Sequence, residues 1–468
     1  MTAEKFIRSQ KSNELNVNWK QFYRHVFSLI IPMALQNLVN VGVTATDVLM
    51  LGRVGEKVLS GSSLAGQIQF IMTLFLFGIT SGATVLTAQY WGKKDARSIE
   101  KIMGMGMTLA VTAGLIFTVA AELFPTQLLR IFTTDTEVIA EGAKYLRVVA
   151  LSYVLMCITQ IYLNIMRSIE RVIIATVVYG TSLVTNIILN SLFIFGLFGF
   201  PKLGIVGAAI ATLTSRIFEL LIVVWYAKHN EVVHFKLRDM VKIDKVLFKD
   251  FLVYAAPVIV NELLWGLGTS TNTAIIGHLG SAAVAANSVA QVARQMAMVV
   301  CFGVSNATAI YLGKTIGEKK YELAKVYGKK FLQLSIITGL AGGCAILIAS
   351  PIVRNLMTLT PEAQEYMKFM FFVMSYFTLC MSINTTLIVG VLRSGGDTKY
   401  GMLVDLGGMW CFSIILGAIA AFKFHASVQV VYAILLSDEV VKIPMSLSRF
   451  FSYKWIKNLT RENEELEA

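Results

Sequence analysis

The chain has 468 residues, of which 56% are hydrophobic and only 15% charged, against roughly 25% charged in an average soluble domain. So little polar surface cannot face water on all sides, which excludes a soluble globular protein and makes lipid the main solvent. The formal charge of +12 does not point to nucleic acid, because the basic residues sit in short tracts between apolar runs, as in Lys93-Lys94, Lys319-Lys320 and the stretch from Lys228 to Lys249.

The first 25 residues are polar and mixed in charge, without the pattern of a cleavable signal peptide. Twelve apolar segments follow, at roughly 26–51, 64–89, 102–124, 145–166, 171–197, 203–227, 247–278, 288–312, 331–356, 366–391, 400–422 and 427–450. They predict an all-α integral membrane protein of about twelve transmembrane helices. The expected division is a cytoplasmic segment 1–25, an N-lobe of six helices over 26–227, a cytoplasmic linker 228–246, a C-lobe of six over 247–450 and a cytoplasmic tail 451–468. An even count puts both termini on one side. With that side inside, inner segments hold 30 of the 41 Lys and Arg and outer loops hold 9, so the positive-inside rule places both termini in the cytoplasm.

The two halves repeat. A shift of 225 residues carries Pro32 onto Pro257, Gly52 onto Gly277, Gly55 onto Gly280, Ser63 onto Ser288, Gly78 onto Gly303, Gly92 onto Gly317 and Lys94 onto Lys319, and a shift of 226 carries Arg167-Ser168 onto Arg393-Ser394. Six spans per copy make the copies parallel, an arrangement in which transporters place the substrate at the interface between halves.

Polar groups inside the spans are functional candidates, because they cost several kcal/mol in hydrocarbon unless paired. In the first span Asn37, Asn40, Thr44 and Asp47 share one helical face. Asp47 has no basic neighbour in sequence. Asn186 and Asn190 stand one turn apart on the fifth span, and Thr212 follows the small residues from Gly207 on the sixth. By depth these four lie in the outer half of the bilayer. One carboxylate with amide and hydroxyl oxygens suits Na⁺, with Asp47 as its charged ligand, and Asp47 equally suits a proton. The repeat carries the first-span stripe to Glu262, Trp265, Thr269 and Asn272.

Arg216 with Glu219, and Asp438 and Glu439 with Lys442, have the spacing of local ion pairs. Asp405 has no such neighbour and is expected to line the lumen. Arg294 is an isolated intramembrane base. Met296, Met298, Met370, Met374, Met381, Met402 and Met409 read mainly as core filler, although a flexible lining also suits a promiscuous pocket. Five cysteines within apolar segments read as small buried hydrophobes, and the five histidines form no ligand pattern. Gly395-Gly396-Asp397-Thr398 has neither the glycines nor the preceding strand of a nucleotide-binding loop. No cofactor is expected, so transport would run on an ion gradient. A membrane enzyme would need a clustered nucleophile, base or metal set, which the sequence does not offer.

Pro32 followed by Asp47 and then Gly52-Arg-Val-Gly55 resembles the first-helix signature of the multidrug and toxic compound extrusion (MATE) transporters of the bacterial NorM-like type. Ala88-Gln-Tyr-Trp-Gly-Lys-Lys94, Asn186 to Asn190 with Phe195-Gly196, Gly204-Ile-Val-Gly-Ala-Ala209 and Leu392-Arg-Ser-Gly-Gly-Asp-Thr398 carry the same resemblance. It implies two six-helix lobes around a cleft, exporting organic cations and other amphiphilic xenobiotics, antibiotics among them, in exchange for Na⁺ or H⁺. It maps the coupling-ion site onto Asp47, Asn186, Asn190 and Thr212, and helix bending onto Pro32, with Pro257 at the repeat-related position. Cleft candidates are Asn37, Asn40, Glu262, Trp265, Asn272 and Asp405. NorM-like members carry their seventh-helix acid eight residues after the proline, where this chain has Trp265; Glu262 stands one turn earlier on the same face. The expected partners are small organic cations, Na⁺ or H⁺ and the bilayer, with the chain a monomer. The alternative reading is a lipid-linked oligosaccharide flippase of a related branch, which would need basic residues in the cleft to hold a pyrophosphate.

Overall fold

The computed structural model describes residues 17–356 and 360–461, all of them helix, turn or loop. Segments 1–16 and 462–468, the ends of the expected cytoplasmic termini, lie outside the described residues. The first half contains α1 (Trp19–Gly52), α2 (Glu56–Lys93), α3 (Ala96–Leu123), α4 (Thr136–Ala150), α5 (Ser152–Ser168), α6 (Ile173–Phe195) and α7 (Gly204–His229). The second contains α8 (Lys245–Gly277), α9 (Ser281–Gly317), α10 (Tyr321–Leu356), α11 (Pro361–Thr385), α12 (Thr398–Leu406), α13 (Val428–Leu436) and α14 (Asp438–Phe451). Wider π-type turns extend α11 through Thr386–Leu392 and α12 through Gly407–Ile414, and helix Ile415–Phe422 completes the latter span.

Among the described residues ten helices are long and apolar enough to cross a membrane, or eleven when α4 and α5, bent by 49°, count as one. The twelfth passage is α13 with α14, an apolar helix of 9 residues followed by a helix carrying Asp438, Glu439, Lys442 and Arg449. Charge, not length of chain, keeps it below the hydropathy of the others. Polar caps fix several ends: Asp95 accepts from Ser98 N at 3.0 Å, Asp135 from Glu137 N at 3.0 Å and Asp244 from Val246 and Leu247 N at 3.1 Å.

The repeat is visible in the backbone. Lys94 and Lys319 both end their helices in the left-handed region (φ 63° and 60°), and so do Glu170 and Gly396 (φ 66° and 76°). The inner parts of the two repeat-related helices are exchanged. Phe22, Val26 and Ile30 of α1 are buried among residues of the second half, whereas Leu247, Phe251 and Ala255 of α8 are buried among residues of the first. The crossing of α2 and α9 is closest at two glycines that occupy equivalent places. A Cβ on Gly92 would overlap the carbonyl of Lys314, and one on Gly317 that of Gln89.

Large apolar side chains such as Ile31, Leu49, Ile116, Ile188 and Phe372 stand exposed around the outside, as a lipid-facing surface requires. Two of the five cysteines correct the expectation of burial: Cys157, Cys301 and Cys380 are buried, but Cys344 and Cys411 are exposed. In a bilayer an apolar face can point outward at no cost, so hydropathy alone does not separate core from rim.

Candidate cation site and the polar interior

Three of the four sequence-predicted residues, Asp47, Asn186 and Asn190, meet in the first half. Small residues from Gly207 let α7 lie against α6, where a Cβ at Gly207 would meet the Phe193 carbonyl at 2.5 Å. Asn186 and Asn190 of α6 are buried, and Asn190 meets Asp47 of α1. Asn190 Nδ2 donates to Asp47 Oδ1 (2.6 Å) and to Asn186 Oδ1 (2.9 Å). Asn190 Oδ1 and Thr212 Oγ1 are buried without a hydrogen-bond partner. Buried oxygens are rarely left so, and the Asn190 side chain adjoins the Asp47 carboxylate. The Tyr145 side chain of α4 packs close to Asp47, Thr212 and Arg216. Arg216 Nη1 donates to both carboxylate oxygens of Glu219 (2.8 and 3.0 Å), forming the local pair expected from their spacing. Tyr145 escapes sequence reasoning, since a tyrosine in an amphipathic helix has no distinguishing pattern.

The rest of the first-span stripe is not gathered with Asp47. Asn37 Nδ2 donates across the halves to the Val299 carbonyl at 3.5 Å, Thr44 returns to the Asn40 carbonyl at 3.3 Å, and Asn40 is exposed. Pro32 lies within α1, and Thr176 Oγ1 donates to its carbonyl at 3.4 Å. Pro257 lies within α8.

The second half is wired differently from the expectation. Asp405 has neighbours after all: Lys442 Nζ lies 2.7 Å from its Oδ1, and Asn261 Nδ2 donates to its Oδ2 at 3.0 Å. Lys442, fully buried, also meets Asp438 at 2.7 Å and Glu439 at 3.4 Å, so one ammonium serves three carboxylates. Gly408 makes the room, because a Cβ there would meet the Lys442 stem at 2.9 Å. Asn384 Nδ2 donates to Glu439 Oε2 at 2.9 Å, while the buried Oδ1 atoms of Asn261 and Asn384 have no partner. Glu262 pairs with Arg393 Nη2 at 2.7 Å, and Arg393 Nη1 reaches Ser81 of α2 at 3.1 Å. Trp265, Asn272 and Arg294 line a small cavity of about 40 Å³ with Met374, Met381 and Met409. Asp438 and Glu439 form part of its wall, and Arg294 itself donates to Gln291 at 3.4 Å. Met298 and Met370 are core residues, and Met296 is exposed.

The polar contacts joining the halves run from mid-depth to the end that carries the 93–94 and 319–320 loops. There Glu170 accepts from Lys314 Nζ (2.7 Å) and Trp91 Nε1 (3.2 Å) and meets His25 Nε2 (2.8 Å). Burial pushes the Glu170 carboxyl up, but these three partners outweigh it and hold the group down at about 2. The C-terminal stretch closes over them. Trp455 is fully buried, Gln89 Nε2 donates to the carbonyls of Ser394 (2.8 Å) and Lys457 (3.0 Å), and Gln89 Oε1 accepts from Leu459 N (2.7 Å). Toward the other end Asn40 and Thr44 are exposed.

The MatE family model matches residues 32–192 and again 257–419, its two copies starting in the 225-residue register of the repeat. The chain belongs to the MatE family. Within MatE it is similar to "Probable multidrug resistance protein YoeA" of Bacillus subtilis (strain 168), 24% identical over 417 residues that span 87% of this chain and 88% of that protein. It is also 24% identical to "Probable multidrug resistance protein NorM" of Thermotoga maritima over 446 residues, 94% of this chain and 95% of the other. A crystal structure of a variant of the Vibrio cholerae MATE transporter VcmN has the same fold, with a TM-score of 0.85 at 16% identity over 94% of this chain and 98% of that one. MatE membership makes this a multi-pass membrane transporter of the multidrug family, with twelve helices in two six-helix lobes.

Proposed function

We propose that this MATE transporter exports organic cations and amphiphilic xenobiotics in exchange for Na⁺ or H⁺ bound at Asp47, Asn186, Asn190 and Thr212. One observation carries the reading: Asn190, hydrogen-bonded to the Asp47 carboxylate, keeps its own buried amide oxygen unpartnered, and so does the buried hydroxyl of Thr212. Such hard oxygens suit Na⁺ as a transported substrate of the exchange, and the same carboxylate can take up a proton instead. With both termini in the cytoplasm, as the Lys and Arg distribution favours, the closed end is the inner one and the site faces an outer opening. Cation entry at Asp47 would then favour the state that releases cargo, and its release inward would follow rocking of the lobes. The cleft residues proposed to meet cargo are Trp265, Asn272, Asn37 and Asn40. Glu262 and Asp405 act behind them through Arg393 and Lys442. The protein works as a monomer.

The flippase alternative draws on Arg167 and Arg393, which line a cavity of about 40 Å³ between the halves. Arg393 is neutralised by Glu262 and Arg294 shares its cavity with Asp438 and Glu439, which leaves Arg167, hydrogen-bonded to the Tyr179 hydroxyl, as a single cation against the two charges of a pyrophosphate. In everted vesicles, Asp47→Asn should abolish Na⁺- or H⁺-driven ethidium transport. Undiminished transport would sink the assignment.

A further inference from the structure

The connection between the halves carries a second surface that the transport cycle does not use. It comprises the short helix Leu237–Val241 and the first turns of α8. Along α8, Lys245, Phe248, Lys249, Leu252 and Val253 fall on one face. With Val241 and Ile243 they border an open groove of about 580 Å³. Its apolar wall is exposed: Val241 by 83%, Val253 by 42%, Leu252 by 38% and Ile243 by 37%.

The charges around this groove are unbalanced in a specific way. Each local carboxylate is taken by a distant cation: Asp239 by Arg97 (2.6 Å to each oxygen), Asp244 by Lys101 (2.9 Å) and Asp250 by Arg461. Arg238, Lys242, Lys245 and Lys249 make no ion pair among the described residues, and all four are exposed. Four free cations therefore rim an apolar trough at the point where a span leaves the hydrocarbon. Water or a soluble anion satisfies the ammonium groups but leaves the trough wet. A molecule with an anionic head and an apolar tail satisfies both.

We propose that this groove binds one anionic phospholipid, its phosphate between Lys245 and Lys249 and an acyl chain along Val241, Ile243, Leu252 and Val253. Arg461 pairs with Asp250, and the sequence after it is acidic with a single leucine, too little apolar surface to cover the wall. The bound lipid bridges the halves. Its short-helix wall is pinned to α3, where Thr108 Oγ1 donates to the Met240 carbonyl at 2.9 Å and Gly104 abuts Asp239, and its lysines ride on α8.

Native mass spectrometry of the full chain, titrated with phosphatidylglycerol or phosphatidylcholine of the same acyl chains, tests this. One phosphatidylglycerol should bind in preference to phosphatidylcholine, and inorganic phosphate should not displace it. Lys245→Gln with Lys249→Gln should weaken it roughly 30-fold, as two lysines near a charged lipid contribute, whereas Lys20→Gln with Lys329→Gln on the same end should not. Val241→Glu, which changes the wall and keeps the lysines, should also weaken it. Equal binding of the two lipids, displacement by phosphate, or unchanged affinity in both groove variants overturns the proposal. So does a several-fold gain in affinity when the chain ends at Arg461, which would make the acidic tail the occupant.

Discussion

Asn190 uses its amide nitrogen on both Asp47 and Asn186, which leaves its buried carbonyl oxygen without a partner. Asn190→Ala removes one ligand and the group that orients the other two, so it should impair driven transport nearly as much as loss of the Asp47 charge, in the same vesicle assay. Lys442 is the opposite kind of residue, a compensator. Removing one partner of a buried ion pair costs about 3–5 kcal/mol, and here the change strands Asp405, Asp438 and Glu439 together. Lys442→Met should therefore lower the thermal unfolding midpoint in detergent, and adding Asp405→Asn should restore part of it. A midpoint unchanged in the single variant would show that the cluster is not charged as drawn. Asp47, Asn186 and Asn190 were legible in the sequence because polar residues at one-turn spacing stand out in an apolar helix. The partners of Asp405 and Glu262 were not, because Lys442 and Arg393 are far away in sequence and only helix packing brings them near.

At the scale of elements, helix positions were almost fully legible, since apolar runs separated by basic loops leave little choice. The bend between α4 and α5 was not, having neither proline nor glycine at Leu151 to mark it. Nor were the π-type turns, which follow from packing around Lys442 and the lobe boundary. The exchange of α1 and α8 between the halves was equally hidden, although the glycines that permit the α2–α9 crossing were visible as repeat partners. Gly317→Val should hold the two helices apart at the closed end. Spin labels on the ends of α2 and α9 should then report a longer distance than in the wild type, and an unchanged distance would contradict the role given to this crossing. Glu170 supplies the electrostatic part of the same closure. Its folded value of about 2 lies below the unfolded 4.5, so its contribution is complete above about pH 4.5 and lost as pH falls toward 2. Closure measured by the same labels should be insensitive to Glu170 titration between pH 5 and 9, and Glu170→Gln should open it at every pH in that range.

For the whole molecule, the repeat built one frame twice and filled it with different chemistry. The first half holds a lone carboxylate among unsatisfied oxygens, whereas the second holds paired acids around Lys442 and Arg393 beside a methionine-lined cavity. Closure at one end by Glu170, the glycine crossing and the C-terminal stretch leaves the first-half site on the side of the other opening. The central claim is that cation movement through Asp47 drives export. It is tested most directly by ethidium transport in proteoliposomes with Na⁺ and H⁺ gradients imposed separately. The account predicts that at least one gradient drives transport by the wild type and that neither drives it in Asp47→Asn. Transport indifferent to both gradients, or equally fast in the variant, would contradict it.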